Sequence, residues 1–125
     1  MASIRMLVVD DESEFLEPLL RRLKRRGVEC TGATSGEEAV ELLKKTDYDV
    51  AVVDVKMPCM NGLDLLRWIR REKPATAVIL LTGHASVELG IQGMELGAFE
   101  YLLKPVDVDE LLDVALRASA GVKLP

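Results

Sequence analysis

The sequence predicts an α/β fold in which one parallel sheet is covered by helices on both faces. Three observations predict it. Short apolar runs rich in β-branched residues recur along the 125 residues. They alternate with stretches whose apolar residues keep a helical period. Several runs also end on a polar or charged residue just before a loop or helix-start signal, as buried parallel strands do at their carboxyl edge.

The elements follow in order. Ile4 to Val9, broken mainly by Arg5, is the first strand and closes on Asp10-Asp11-Glu12. Ser13 is placed to cap a helix with Phe15, Leu16, Leu19, Leu20 and Leu23 on its apolar side, ending in Lys24-Arg25-Arg26-Gly27. Pro18 sits slightly deep for a first turn and predicts local distortion. The cations of Arg21 to Arg26 read as a solvated face suited to a helix C-terminus, with a docking patch as the other reading. Val28 to Ala33 is a weaker strand, suited to a sheet edge. Ser35 and Glu38 stand at capping-box spacing before Ala39, Val40, Leu42 and Leu43, so a second helix runs to about Lys45.

Asp49 to Val53 is a third strand that delivers Asp54 to its own carboxyl end, and Pro58, Asn61 and Gly62 force a loop after it. A carboxylate there cannot stay deep in a core unpaired, so it belongs at the rim facing a cation or chemistry. The next helix buries Leu63, Leu65, Leu66 and Ile69, with Trp68 as packing. Ala77 to Leu81 is the most continuously apolar run and ends in Thr82-Gly83-His84. A helix over about Ser86 to Leu96 carries Gly90 and Gly93, each costing about 1 kcal/mol of helix propensity against alanine, so it is expected to be the least rigid. Gly97 ends it, Phe99 to Leu103 is the fifth strand, and Lys104-Pro105 follows. Asp107 and Glu110 repeat the capping spacing, Val106 and Leu111 that of a hydrophobic staple, and the last helix buries Leu111, Leu112, Ala115 and Leu116.

The length suits one domain, and 49% hydrophobic with 30% charged residues describes a globular chain. A net charge of -5 argues against direct nucleic-acid binding. No apolar run reaches membrane-span length and the start lacks a signal-peptide layout, so a cytoplasmic protein is expected, with Cys30 and Cys59 as ordinary thiols. The expected division is a domain over 1–121 and a tail or linker start over 122–125.

Five strands alternating with five helices suit a flavodoxin-like (βα)5 doubly wound sheet in the order 2-1-3-4-5, whose crevice opens at the carboxyl edge. That edge would gather Asp10, Asp11, Asp54, Thr82 and Lys104. Any one of them is readily a helix cap; five from four segments are harder to explain so. Clustered carboxylates repel unless a cation sits among them, and a small hard ion that also bridges to phosphoryl oxygen describes magnesium. Lys104 suits a phosphate oxygen and Thr82 offers a hydroxyl. Asp54 could then act as a nucleophile forming aspartyl-phosphate, with no general base needed. His84 reads more simply as a loop residue than as a base.

Asp10-Asp11, Asp54 with Met57-Pro58 and Asn61-Gly62, Thr82, Gly97-Ala98, Tyr101 and Lys104-Pro105 resemble the receiver domain of two-component response regulators over essentially the whole chain. The run from Gly97 to Pro105 looks most like receivers of enhancer-binding transcription activators. The resemblance implies that Asp54 accepts phosphoryl from a sensor histidine kinase or histidine phosphotransfer protein. It implies Mg2+ held by Asp10, Asp11, Asp54 and the Lys56 backbone carbonyl, a cis Lys104-Pro105 peptide, and a switch in which Thr82 moves inward and Tyr101 rotates. The surface of the fourth helix, fifth strand and fifth helix would change, which leaves open a phosphorylation-dependent homodimer. Tyr101 also reads simply as a half-buried edge-strand aromatic. Lys56 and His84 are expected to overhang the phosphoryl group and modulate its rates, Lys56 by altering the access of attacking water.

Two rivals remain. A haloacid-dehalogenase-type phosphatase would share the Asp, Thr and Lys but needs a second Asp two residues after the nucleophile, where this chain has Lys56. A constitutive docking pseudo-receiver would need no chemistry, yet all the chemical positions are present. The expectation is a domain that is no enzyme toward other substrates and catalyses only its own phosphorylation and dephosphorylation.

Overall fold

The computed structural model describes residues 4–121; the expected tail over 122–125 and the first three residues of the expected domain lie outside them. Five strands, β1 (Arg5–Val9), β2 (Glu29–Ala33), β3 (Val50–Asp54), β4 (Ala77–Thr82) and β5 (Glu100–Leu103), alternate with α1 (Ser13–Arg25), α2 (Gly36–Lys45), α3 (Gly62–Glu72), α4 (Val87–Glu95) and α5 (Val108–Ser119). All pairings are parallel and the order is β2-β1-β3-β4-β5. The expected topology is therefore the observed one, with the weaker second strand at an edge.

Strand alternation sends side chains into two cores. Met6, Val8, Val50, Val52, Ile79 and Leu81 meet α1 and α5 on one face. Leu7, Val9, Ala51, Val53, Val78 and Leu80 meet α2 and α3, with α4 side chains at the margin, on the other. Every residue of β3 is buried, which explains its unbroken apolar character.

Several local expectations are corrected. Ser13 is the first residue of α1 and not its cap: Glu12 takes the cap position, its carbonyl accepting from the N–H groups of Phe15 and Leu16 at 3.0 and 2.9 Å. The Glu12 carboxylate makes no capping bond because it turns to Lys104. The helix runs unbroken through Pro18. The missing Pro18 N–H orphans only the carbonyl of exposed Glu14, where water can serve it. Ser35 Oγ accepts from Glu38 N–H at 3.0 Å as expected, but Glu38 Oε1 accepts from Thr34 N–H at 2.7 Å and not from the cap residue. Asp107 Oδ1 accepts from Asp109 N–H at 2.8 Å, one position earlier than the spacing implied. In α5 the buried stripe is Leu111, Val114, Ala115 and Ala118; Leu112 is half-buried and Leu116 is exposed.

Candidate functional site

Register builds the site. Val9 pairs with Val53, so Asp10 and Asp54 leave adjacent strands at the same level. Thr82 pairs with Leu103, and Lys104 N–H then donates to the Thr82 carbonyl at 2.9 Å, which brings the fourth and fifth strand ends together. The loop beyond Asp54 is fixed by α3: Asn61 Oδ1 accepts from Asp64 N–H at 2.9 Å while Asp64 Oδ2 accepts from Asn61 N–H at 3.2 Å. The sequence carries that N-x-x-D spacing at Asn61 and Asp64, within the loop signal of Asn61-Gly62.

Three carboxylates meet. Oxygens of Asp10, Glu12 and Asp54 lie within 4.8 Å of one another. Lys104 Nζ sits among them, 2.8 Å from Asp10 Oδ2, 3.4 Å from Glu12 Oε1 and 3.5 Å from Asp54 Oδ2. Asp10 is fully buried and its Oδ1 accepts from Glu12 N–H at 2.9 Å. Apart from the Lys104 contact, its Oδ2 makes no well-aligned hydrogen bond among the described residues. Asp54 Oδ1 accepts a long bond, 3.4 Å, from Lys56 N–H.

These surroundings set the charges. Burial and the neighbouring charge of Asp10 push the Asp54 carboxyl up to about 6, and Lys104 with the Lys56 N–H only partly offsets them. Burial pulls the Lys104 ammonium down, but Asp10, Asp54 and Glu12 together outweigh it and raise its pKa. The ammonium lies nearer Asp10 than Asp54, so Asp54 is the less compensated carboxylate.

Asp54 lies under a depression of about 320 Å³ lined also by Asp11, Glu12, Lys56, Thr82, Ser86 and Lys104. Of the residues expected here, Asp10, Asp54, Thr82 and Lys104 converge, and Asp11 lines the opening as an exposed residue. Glu12 and buried Ser86 were not assigned a role by the sequence reading; only Glu12 left a signal, in the acidic run. His84 is exposed in a 3-10 turn, His84–Ser86, and lines a neighbouring depression, not the one above Asp54; Lys56 borders both. Thr82 is buried and its Oγ1 donates to the Gly83 carbonyl at 3.2 Å. Between it and the half-buried Tyr101 lies Gly90, where a Cβ would stand 3.0 Å from the Tyr101 ring and 3.4 Å from Thr82 Cγ2. The Lys104-Pro105 peptide is cis, as the resemblance implied.

The donors are all oxygen, the set a hard divalent cation takes, and the buried Asp10 Oδ2 has acceptor capacity to spare. A metal of that class fits the residues present. Among the described residues, no helix is long and apolar enough to cross a membrane.

A doubly wound sheet with an acid cluster and a lysine at its carboxyl edge defines the receiver class of two-component signalling proteins. The chain belongs to the response regulator receiver domain family, whose model matches residues 6–116. It is 39% identical over 111 residues to the DNA-binding transcriptional regulator NtrC of Escherichia coli, covering 89% of this chain and 24% of that protein. To the response regulator protein PilR of Pseudomonas aeruginosa it is 35% identical over 118 residues, covering 94% and 26%. The chain thus spans about a quarter of the length of these curated relatives. A solved receiver domain protein from Clostridium thermocellum superposes with a TM-score of 0.90 at 38% identity, covering 94% of this chain and 95% of the other.

Proposed function

We propose that Asp54 is the phosphoacceptor, and the observation that carries this is its buried, under-compensated carboxylate beside Asp10 and Lys104 under an open depression. An Asp54 oxygen forms the bond to phosphorus as the phosphorus–nitrogen bond of a phosphohistidine breaks. The electron pair stays on the imidazole nitrogen, which takes a proton from solvent. The donor is a sensor histidine kinase or a histidine phosphotransfer protein, in keeping with the family. Lys104 faces the incoming phosphoryl oxygens as a compact cation, and Thr82 offers its hydroxyl from the next strand end.

Mg2+ is the cation we assign; Asp10, Asp11, Asp54 and the Lys56 carbonyl would hold it, and Glu12 stands in the same acid cluster. When bound it would neutralise charge shared between the carboxylates and the phosphoryl oxygens. The Thr82–Gly90–Tyr101 contact supports a switch in which Thr82 moves toward the phosphoryl group and Tyr101 follows, altering the α4–β5–α5 surface. On this reading the domain acts in the cytoplasm on no other substrate and catalyses only its own phosphorylation and dephosphorylation. DNA contacts, if the parent protein makes any, belong to another part of it, and a homodimer would form through the altered surface.

The test is intact mass after incubation with magnesium and acetyl phosphate or phosphoramidate. One magnesium-dependent, base-labile phosphate on the wild type and none on Asp54→Asn is expected. Equal labelling of both would move the acceptor elsewhere, and no labelling would favour a docking module.

A further inference from the structure

Lys104 has an aromatic neighbour as well as its carboxylates. Its Nζ lies 4.4 Å from the centroid of the Phe15 ring and also 2.8 Å from Asp10, 3.4 Å from Glu12 and 3.5 Å from Asp54. Phe15, in the first turn of α1, is half-buried and packs against the core, so its ring is anchored. It also walls a groove of about 790 Å³ between the start of α1 and Pro105, into which an unanchored lysine could swing. A flexible four-carbon side chain only 18% exposed, ringed by three acids, needs something to choose its position. An aromatic face attracts an ammonium and excludes water from it.

We propose that Phe15 is a positioning residue: contact with its ring holds the Lys104 ammonium between Asp10 and Asp54, ready for the phosphoryl oxygens. This rests on the phosphoacceptor reading above. Leucine at 15 keeps apolar bulk but loses the π face, so the lysine gains freedom toward Glu12 and the groove.

The experiment measures the phosphorylation rate with phosphoramidate at saturating magnesium for wild type, Phe15→Leu and Phe15→Tyr, each checked for folding by thermal melt. Phe15→Leu should be slowed about 3- to 10-fold, the range a cation–π contact of partial burial supports, and Phe15→Tyr should recover most of the rate. In a Lys104→Met background Phe15→Leu should add no further loss, which a merely structural role would not produce. In parallel, the Lys104 ε-methylene proton signal should show a ring-current upfield shift that Phe15→Leu abolishes and Phe15→Tyr retains. Equal rates for wild type and Phe15→Leu, the same loss in the Lys104→Met background, or no ring-current shift would overturn the proposal. A wild type that takes up no phosphate while showing the shift would instead overturn the reading it rests on.

Discussion

Gly62 packs directly on the main-chain carbonyl of Asp54, so closely that a Cβ at position 62 would overlap that oxygen and crowd Val55 Cα at 2.7 Å. The contact joins the first turn of α3 to the end of β3. Gly62 N–H donates to the Val55 carbonyl at 2.9 Å, which closes the loop over the carboxylate. Both obstructing groups are backbone of a fully buried strand end and cannot rotate away.

Gly62→Ala should therefore destabilise the fold by about 1–3 kcal/mol, the usual cost of overpacking, despite the lower chain entropy of unfolded alanine. The urea midpoint should fall, and phosphorylation of Asp54 should slow because the displaced backbone is its own. An unchanged midpoint would show that the loop gives way freely and that this contact does not set the place of Asp54.

Gly93 makes a second close approach with the opposite bias from propensity. It sits inside α4, where alanine gains about 1 kcal/mol, yet a Cβ there would collide with Leu80 Cδ1, and Leu80 is fully buried. Overpacking of about 1–3 kcal/mol outweighs the gain, so Gly93→Ala should lower the urea midpoint. Gly90→Ala should stay within about 1 kcal/mol of wild type, since the half-buried Tyr101 ring can yield by tenths of an ångström. If Gly93→Ala proved the more stable protein, helix propensity alone would explain both positions.

What the sequence could reveal divides along the same line. Strand ends were legible because β-branched runs stop at Asp10, Asp54 and Thr82, and a parallel sheet places such ends on one edge. Glu12 was legible as an acid but not as a partner of Lys104, because that contact joins residues 92 apart in the chain. In α5 two adjacent stripes are both apolar, Leu111, Val114, Ala115 and Ala118 beside Leu112 and Leu116, and periodicity alone does not choose; packing of the helix against the core buries the first stripe. The glycines of α4 read as weakness in a helix, whereas the fold also uses them as contact surfaces against Leu80 and Tyr101. Close packing across elements leaves no local signature.

The charge state of Asp54 gives a prediction of pH dependence whose sign follows from its surroundings. Burial and Asp10 raise its pKa from 3.8 to about 6 in the folded protein. A raised carboxyl binds its proton more tightly when folded, so its contribution to stability is fully present below about pH 4 and is lost as pH rises through about 6. Two units correspond to about 3 kcal/mol. Asparagine at 54 has nearly the shape of the protonated acid and never ionises, so in magnesium-free buffer Asp54→Asn should match wild type near pH 4 and exceed it in stability by up to about 3 kcal/mol near pH 8. Magnesium should narrow the gap at pH 8 by binding only folded wild type well. Urea unfolding of both proteins at the two pH values measures it directly. A gap independent of pH, or an Asp54→Asn variant less stable at pH 8, would mean that Lys104 compensates Asp54 fully and that its carboxylate carries no stored electrostatic strain.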